Sequence, residues 1–167
     1  MKKGFNNWSE FYQRISLIFH GIIAFSLLPF AWFYLELDSG LGEPVLKDTY
    51  LIIFNVLILV GIVLILYFSH QQFTGTLRSL RKSQSVRSKL QVYFDASLRK
   101  FIINEFAAVV ALIGMVVGQE ILFAVVYVFI LFIFSLSRPR FDKVTQQLSL
   151  SKEEKELLAG SENLPEE

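Results

Sequence analysis

Charge in this sequence is gathered into the gaps between four apolar blocks, and that arrangement restricts the fold more than any other feature. Residues 15–35, 51–69, 101–117 and 121–137 contain one Asp, Glu, Lys or Arg among them, Glu105. About 20 residues of helix cross the roughly 30 Å of hydrocarbon in a bilayer, so the first two blocks are long enough to span. The last two fall slightly short and would extend into their flanking turns. An open sheet would leave backbone groups unpaired in lipid, which leaves helices. The expected fold is all-α: an integral membrane protein with four transmembrane helices in two antiparallel hairpins, over about 14–36, 49–70, 98–117 and 120–137. Composition adds less. A hydrophobic fraction of 53% is ordinary for soluble chains too, and mean hydropathy is +0.49. The absence of cysteine rules out disulfides, thiolate metal sites and cysteine nucleophiles.

The net charge of +1 conceals a strong asymmetry. Between the first two blocks lie Glu36, Asp38, Glu43 and Asp48 against the single base Lys47. Between the second and third lie Arg78, Arg81, Lys82, Arg87, Lys89, Arg99 and Lys100, opposed only by Asp95. Lys2, Lys3 and Arg14 precede the first block; Arg138, Arg140 and Lys143 follow the last. Bases near the ends of spans mark the cytoplasmic side, which predicts a multi-pass protein of the cell inner membrane with both termini cytoplasmic. The first block is longer than the 7–15 residue core of a signal peptide, and "WFYLELDSG" after it lacks a small-x-small cleavage pattern, so it reads as a retained span. Trp32, Tyr34 and Tyr50 would form the outer aromatic belt; Trp8, Tyr12, Tyr67 and Tyr93 would lie near the inner one.

Residues 1–13 read as an interfacial lead-in, with Phe5, Trp8, Phe11 and Tyr12 resting on the membrane surface. Pro29 sits inside the first span and cannot donate to the carbonyl of Phe25, so a kink is expected, with Ser26 near enough to help. "SGLGEP" at 39–44 is turn chemistry; no strand precedes its G-x-G, so it is no nucleotide motif. In the long connection 71–97, Val86, Leu90, Tyr93, Phe94, Leu98 and Phe101 recur at three and four, the beat of a helix able to continue into the third span. Such an amphipathic helix can rest on anionic headgroups through Arg78, Arg81, Lys82, Arg87, Lys89, Arg99 and Lys100, or dock an acidic or phosphorylated partner. Nucleic acid fits poorly, since the aromatics follow an amphipathic period and form no binding module. Only Gly118, Gln119 and Glu120 join the last two spans, which makes them a hairpin. Residues 138–167 read as a cytoplasmic tail with a helix at 152–159, capped by Ser151 and Glu154 as a capping box and stopped at Gly160. The final "SENLPEE" is acidic and short of apolar residues.

The most specific packing signal lies in "FIINEFAAVVALIGMVVGQE" at 101–120. Asn104, Ala107, Ala111, Gly114 and Gly118 are spaced three, four, three, four, which puts them on one seam of a helix. Membrane helices associate by close packing, which small residues permit, and Asn104 can add a hydrogen bond of roughly 0.6–2 kcal/mol. The seam can face the fourth span, another helix of the chain or a neighbouring subunit.

Glu105 stands beside that seam, roughly 8 Å inside Lys100 at 1.5 Å per residue, and His20 lies about 9 Å inside Arg14. The shared depth allows an imidazole–carboxylate pair with Asn104 nearby, a polar or proton-handling site within the membrane. A charge in a span is costly and tends to be paired, protonated or functional. Equally, Glu105 can snorkel to the interface or stay protonated, or meet a base on another subunit. His20 and His70 as haem ligands agree poorly in depth, and no cofactor or metal site is expected. Without a nucleophile–base set or metal cluster the reading leans away from an enzyme. The expected function is that of an accessory or scaffold subunit, bound to other membrane subunits or to copies of itself; the alternative is a small oligomeric transporter or channel using Glu105 and His20.

Overall fold

The computed structural model describes residue 5 and residues 7–39, 48–80 and 85–160, and these form six helices and no strand. They are α1 (Trp8–Asp38), α2 (Asp48–Arg78), α3 (Val86–Gly118), α4 (Ile121–Ser137), α5 (Phe141–Gln147) and α6 (Lys152–Ala159). α1, α2 and α3 are each long and apolar enough to cross a membrane; α4 and α5, bent by 77° at the break between them, make a fourth candidate. The Lys47 turn, the "SGLGEP" segment beyond Ser39, Arg81, Lys82 and residues 161–167 lie outside the described residues.

Helix ends follow local chemistry. Asn7 caps α1 by accepting from the Glu10 backbone N–H at 2.9 Å, and Ser85 caps α3 through Ser88 at 3.2 Å. The expected capping box at α6 is present, with the Glu154 N–H donating to Ser151 Oγ at 3.1 Å and the Ser151 N–H to Glu154 at 2.8 Å. α3 ends at Gln119 in the left-handed region, φ 52°, where glycine is the usual occupant. Gln119 donates its side-chain amide to the Val116 carbonyl at 3.0 Å, satisfying one orphan acceptor of the helix end.

The helices run further than the apolar blocks. α3 is a single 33-residue helix, so the amphipathic stretch after Ser85 and the third block are one rod of roughly 50 Å. α2 likewise continues past residue 70 to Arg78, which cuts the long connection to 79–85. α3 is the hub: α1, α2 and α4 all pack on it, while α1 and α4 meet only lightly.

The amphipathic face of α3 is covered by protein rather than membrane. Leu90 and Tyr93 are buried; Phe11 packs on Tyr93 with ring centroids 6.1 Å apart, and Phe5 on Phe94 at 5.0 Å. Phe5 and Phe11 are therefore core residues, not a surface lead-in, and Trp8 is half-buried edge-on against Phe141 at 5.1 Å. The reason is spacing: Phe11, Ile15 and Phe19 continue one face of α1, and that face meets α3. The stretch after Arg138 folds back as well. Val144, Leu148, Leu150 and Leu158 are buried, and Tyr93 donates to Gln147 Oε1 at 3.0 Å.

Candidate functional site

Each residue of the small-residue seam is buried, and the seam meets two helices. A Cβ on Gly114 would stand 2.7 Å from the Phe123 ring of α4, so the aromatic occupies the place a side chain would take. A Cβ on Gly118 would lie 3.3 Å from Asn55 Oδ1 and 3.6 Å from Leu51, both on α2. Asn104 also meets α2, accepting from Ser69 Oγ at 2.7 Å, and Ala107 and Ala111 are fully buried between. Asn55 donates across to Glu120 at 3.3 Å, closing the far end of the bundle.

Glu105 is buried beside the seam. Its neighbours are Ser26 of α1 and Tyr127 of α4 rather than His20. Ser26 Oγ and Tyr127 Oη share a hydrogen bond of 2.9 Å, and Tyr127 stacks on Phe30 with centroids 4.1 Å apart. Ser26 lies close to the Glu105 carboxyl without reaching bonding geometry, so neither Glu105 oxygen has a hydrogen-bond partner among the described residues; nor has Asn104 Nδ2. His20 does not join the group. It is exposed on the outer face of α1, with Nδ1 2.7 Å from its own Ser16 carbonyl. Ser26, six residues further along α1, lies roughly 9 Å deeper than His20 and takes the position level with Glu105. His70 is exposed on α2.

The expected basic face is divided. Arg78 and Arg99 are exposed and Arg87 is half-buried. Lys89 is buried and makes a 2.6 Å salt bridge with Glu154 of α6, so it is withdrawn from any docking surface by the tail folding back. Burial alone would raise the Glu154 pKa, but the hydrogen bond from Lys89, the Ser151 N–H and the lysine charge outweigh it and hold it below the ordinary carboxylate value. Lys100 is half-buried with its ammonium 4.8 Å above the Phe73 ring. Lys143 of α5 donates to the Leu136 carbonyl at the end of α4. Burial, reinforced by the charge of Arg140, holds Lys143 below the usual lysine range.

Between α2, the end of α4 and the α5–α6 return lies a cleft of about 1170 Å³, with Lys89 and Lys100 of α3 in its lining. Apolar Phe73, Leu77, Ile133 and Leu136 alternate there with Arg78, Lys100 and Lys143. Sequence reasoning passed over this cleft and did not place Ser26, Ser69 or Tyr127 at the buried polar site. Tyr127 was visible as the only polar side chain in α4 before Ser135. The cleft needed α5 and the fold-back of α6, for which no local pattern speaks.

The helices define the class: an all-α protein with several helices suited to a membrane. No protein-family model matches the sequence, and neither a curated protein nor a solved structure is similar to it.

Proposed function

We propose that this chain is an accessory or scaffold subunit of a larger membrane assembly, crossing the cell inner membrane four times with both termini in the cytoplasm. The orientation follows the gathering of bases at one end of the helices and acids at the other. The observation that carries the reading is the state of α2. Its most apolar stretch is 6% buried, against 50% for α3. Lipid covers such a face adequately, so exposure alone says little. Gly61, however, is half-buried on α2 with nothing within 4 Å of where a Cβ would stand. A glycine inside a helix costs about 1 kcal/mol relative to alanine, and no contact within this chain requires one here. It would let a helix of another chain approach closely, as small residues do in membranes. Purification in mild detergent with native neighbours tests this: stoichiometric co-migration with another polypeptide, or with a second copy, is expected, and Gly61→Leu should weaken it without unfolding the chain. A lone monomer would overturn the proposal.

The two orphaned oxygens of Glu105 favour a second reading, a proton- or ion-coupled transporter. A buried carboxyl without a partner can hold a proton or receive a cation. Flux in proteoliposomes should then disappear with Glu105→Gln; pH-dependent flux unchanged by that substitution would remove Glu105 from any mechanism.

A further inference from the structure

The structure assigns the cleft beside Lys100 and Lys143 to a single anionic phospholipid, its phosphate held between the two ammoniums and an acyl chain lying along Phe73, Leu77, Ile133 and Leu136. The inference rests on the membrane reading above but not on the subunit role.

Charge selects the headgroup. Four bases line the cleft, Arg78, Lys89, Lys100 and Lys143, against one acid, Glu154. That acid is already engaged by Lys89 at 2.6 Å, so it neutralises none of the other three. Lys100 and Lys143 are near enough to repel one another, and neither has a carboxylate partner among the described residues. Two half-buried ammoniums facing one space without a counter-ion are costly, and an anion between them removes that cost. A phosphate supplies several acceptors to such donors at once.

Shape and position select a lipid over a soluble phosphate. The cleft lies where the apolar helices give way to basic termini, the depth of a headgroup. One wall is apolar and continues along α4 to Leu136, which is 61% exposed towards the surroundings of the bundle. A free phosphate would leave that wall unused; an acyl chain covers it. At about 1170 Å³ the space is somewhat larger than the usual small-ligand pocket of about 300–1,000 Å³.

Native mass spectrometry of the full chain in mild detergent, titrated with phosphatidylglycerol or phosphatidylcholine, tests the assignment. One phosphatidylglycerol should be retained at least tenfold more tightly than phosphatidylcholine. Lys100→Gln with Lys143→Gln should reduce retention about tenfold, Lys143→Arg should restore it, and Arg14→Gln, on α1 outside the cleft, should leave it unchanged. If the double variant does not fold, Lys143→Gln alone should still cost severalfold. Inorganic phosphate and glycerol phosphate at matched concentration should not displace the lipid; displacement would assign the cleft to a soluble anion and overturn the proposal. No preference between the two lipids, or an equal loss with Arg14→Gln, would overturn it too, while the membrane reading would stand if the chain still reconstitutes into liposomes.

Discussion

α2 and α3 have nearly the same length, 31 and 33 residues, and both contain a span-length apolar stretch, yet they are built for opposite surroundings. α3 spends its small residues inward: Gly114 makes room for Phe123, and Gly118 for Leu51 and Asn55. Polar Asn104 and Glu105 are buried with them. α2 presents Ile52, Leu57, Val63 and Phe68 outward, and a Cβ on its Gly61 would meet nothing within 4 Å. In lipid, hiding a leucine gains almost nothing, so close approach rather than apolarity decides which helix becomes the hub. Apolarity ranks α2 above α3 and gets the centre of the molecule wrong for that reason.

The contrast can be tested in order of effect. Phe123→Ala empties a fully buried site beside the seam and should cost about 3–5 kcal/mol of unfolding free energy, whereas Phe68→Ala on the outer face of α2 should change it by less than about 0.5. Denaturant titration of the two variants in detergent measures both, and equal losses would erase the distinction. Gly114→Ala forces a methyl against a buried ring and should cost about 1–3 kcal/mol; Gly61→Ala should be neutral or stabilise by up to about 1 in the isolated chain. Removing one partner of the Lys89–Glu154 pair by Glu154→Gln leaves a buried ammonium with a neutral acceptor and should cost about 1–3 kcal/mol, loosening the tail, which limited proteolysis reads as faster cleavage after residue 138. Because the Glu154 pKa is depressed in the fold, its contribution is present above the ordinary value of 4.5 and is lost as pH falls below it. Wild type should thus lose tail protection on acidification, and Glu154→Gln should not. Smallest, Tyr127→Phe deletes the bond to Ser26 but keeps the stack on Phe30, for about 0.5–1.5 kcal/mol.

How far the sequence could be read depended on whether the signal was local. The seam was legible because glycine and alanine at three and four have few other uses in a span. That Asn104 would find Ser69, or that Glu105 would lie near Ser26 and Tyr127, was not, since hydroxyls are common in apolar helices and the crossing angle of α1 over α3 has no local pattern. His20 and Glu105 looked like partners because depth was counted from Arg14 and Lys100 as if those two were level; packing instead sets Ser26 level with Glu105 and turns His20 outward. The bases of the long connection read as one surface, but Lys89 lies on the inward face of α3 and meets an acid 65 residues later. The α6 capping box was plain from four residues, while its docking on α3 was written nowhere near them.

The central claim is that the seam face of α3 is enclosed by its own chain while α2 is open on its outer side. Carbene labelling from a diazirine-bearing lipid, with the purified protein in liposomes and adducts located residue by residue, addresses it directly. Adducts should concentrate on Leu57, Val60, Leu64 and Phe129 and should be at least tenfold rarer at Ala107, Ala111 and Met115. Labelling of the α3 seam as heavy as that of α2 would contradict the account.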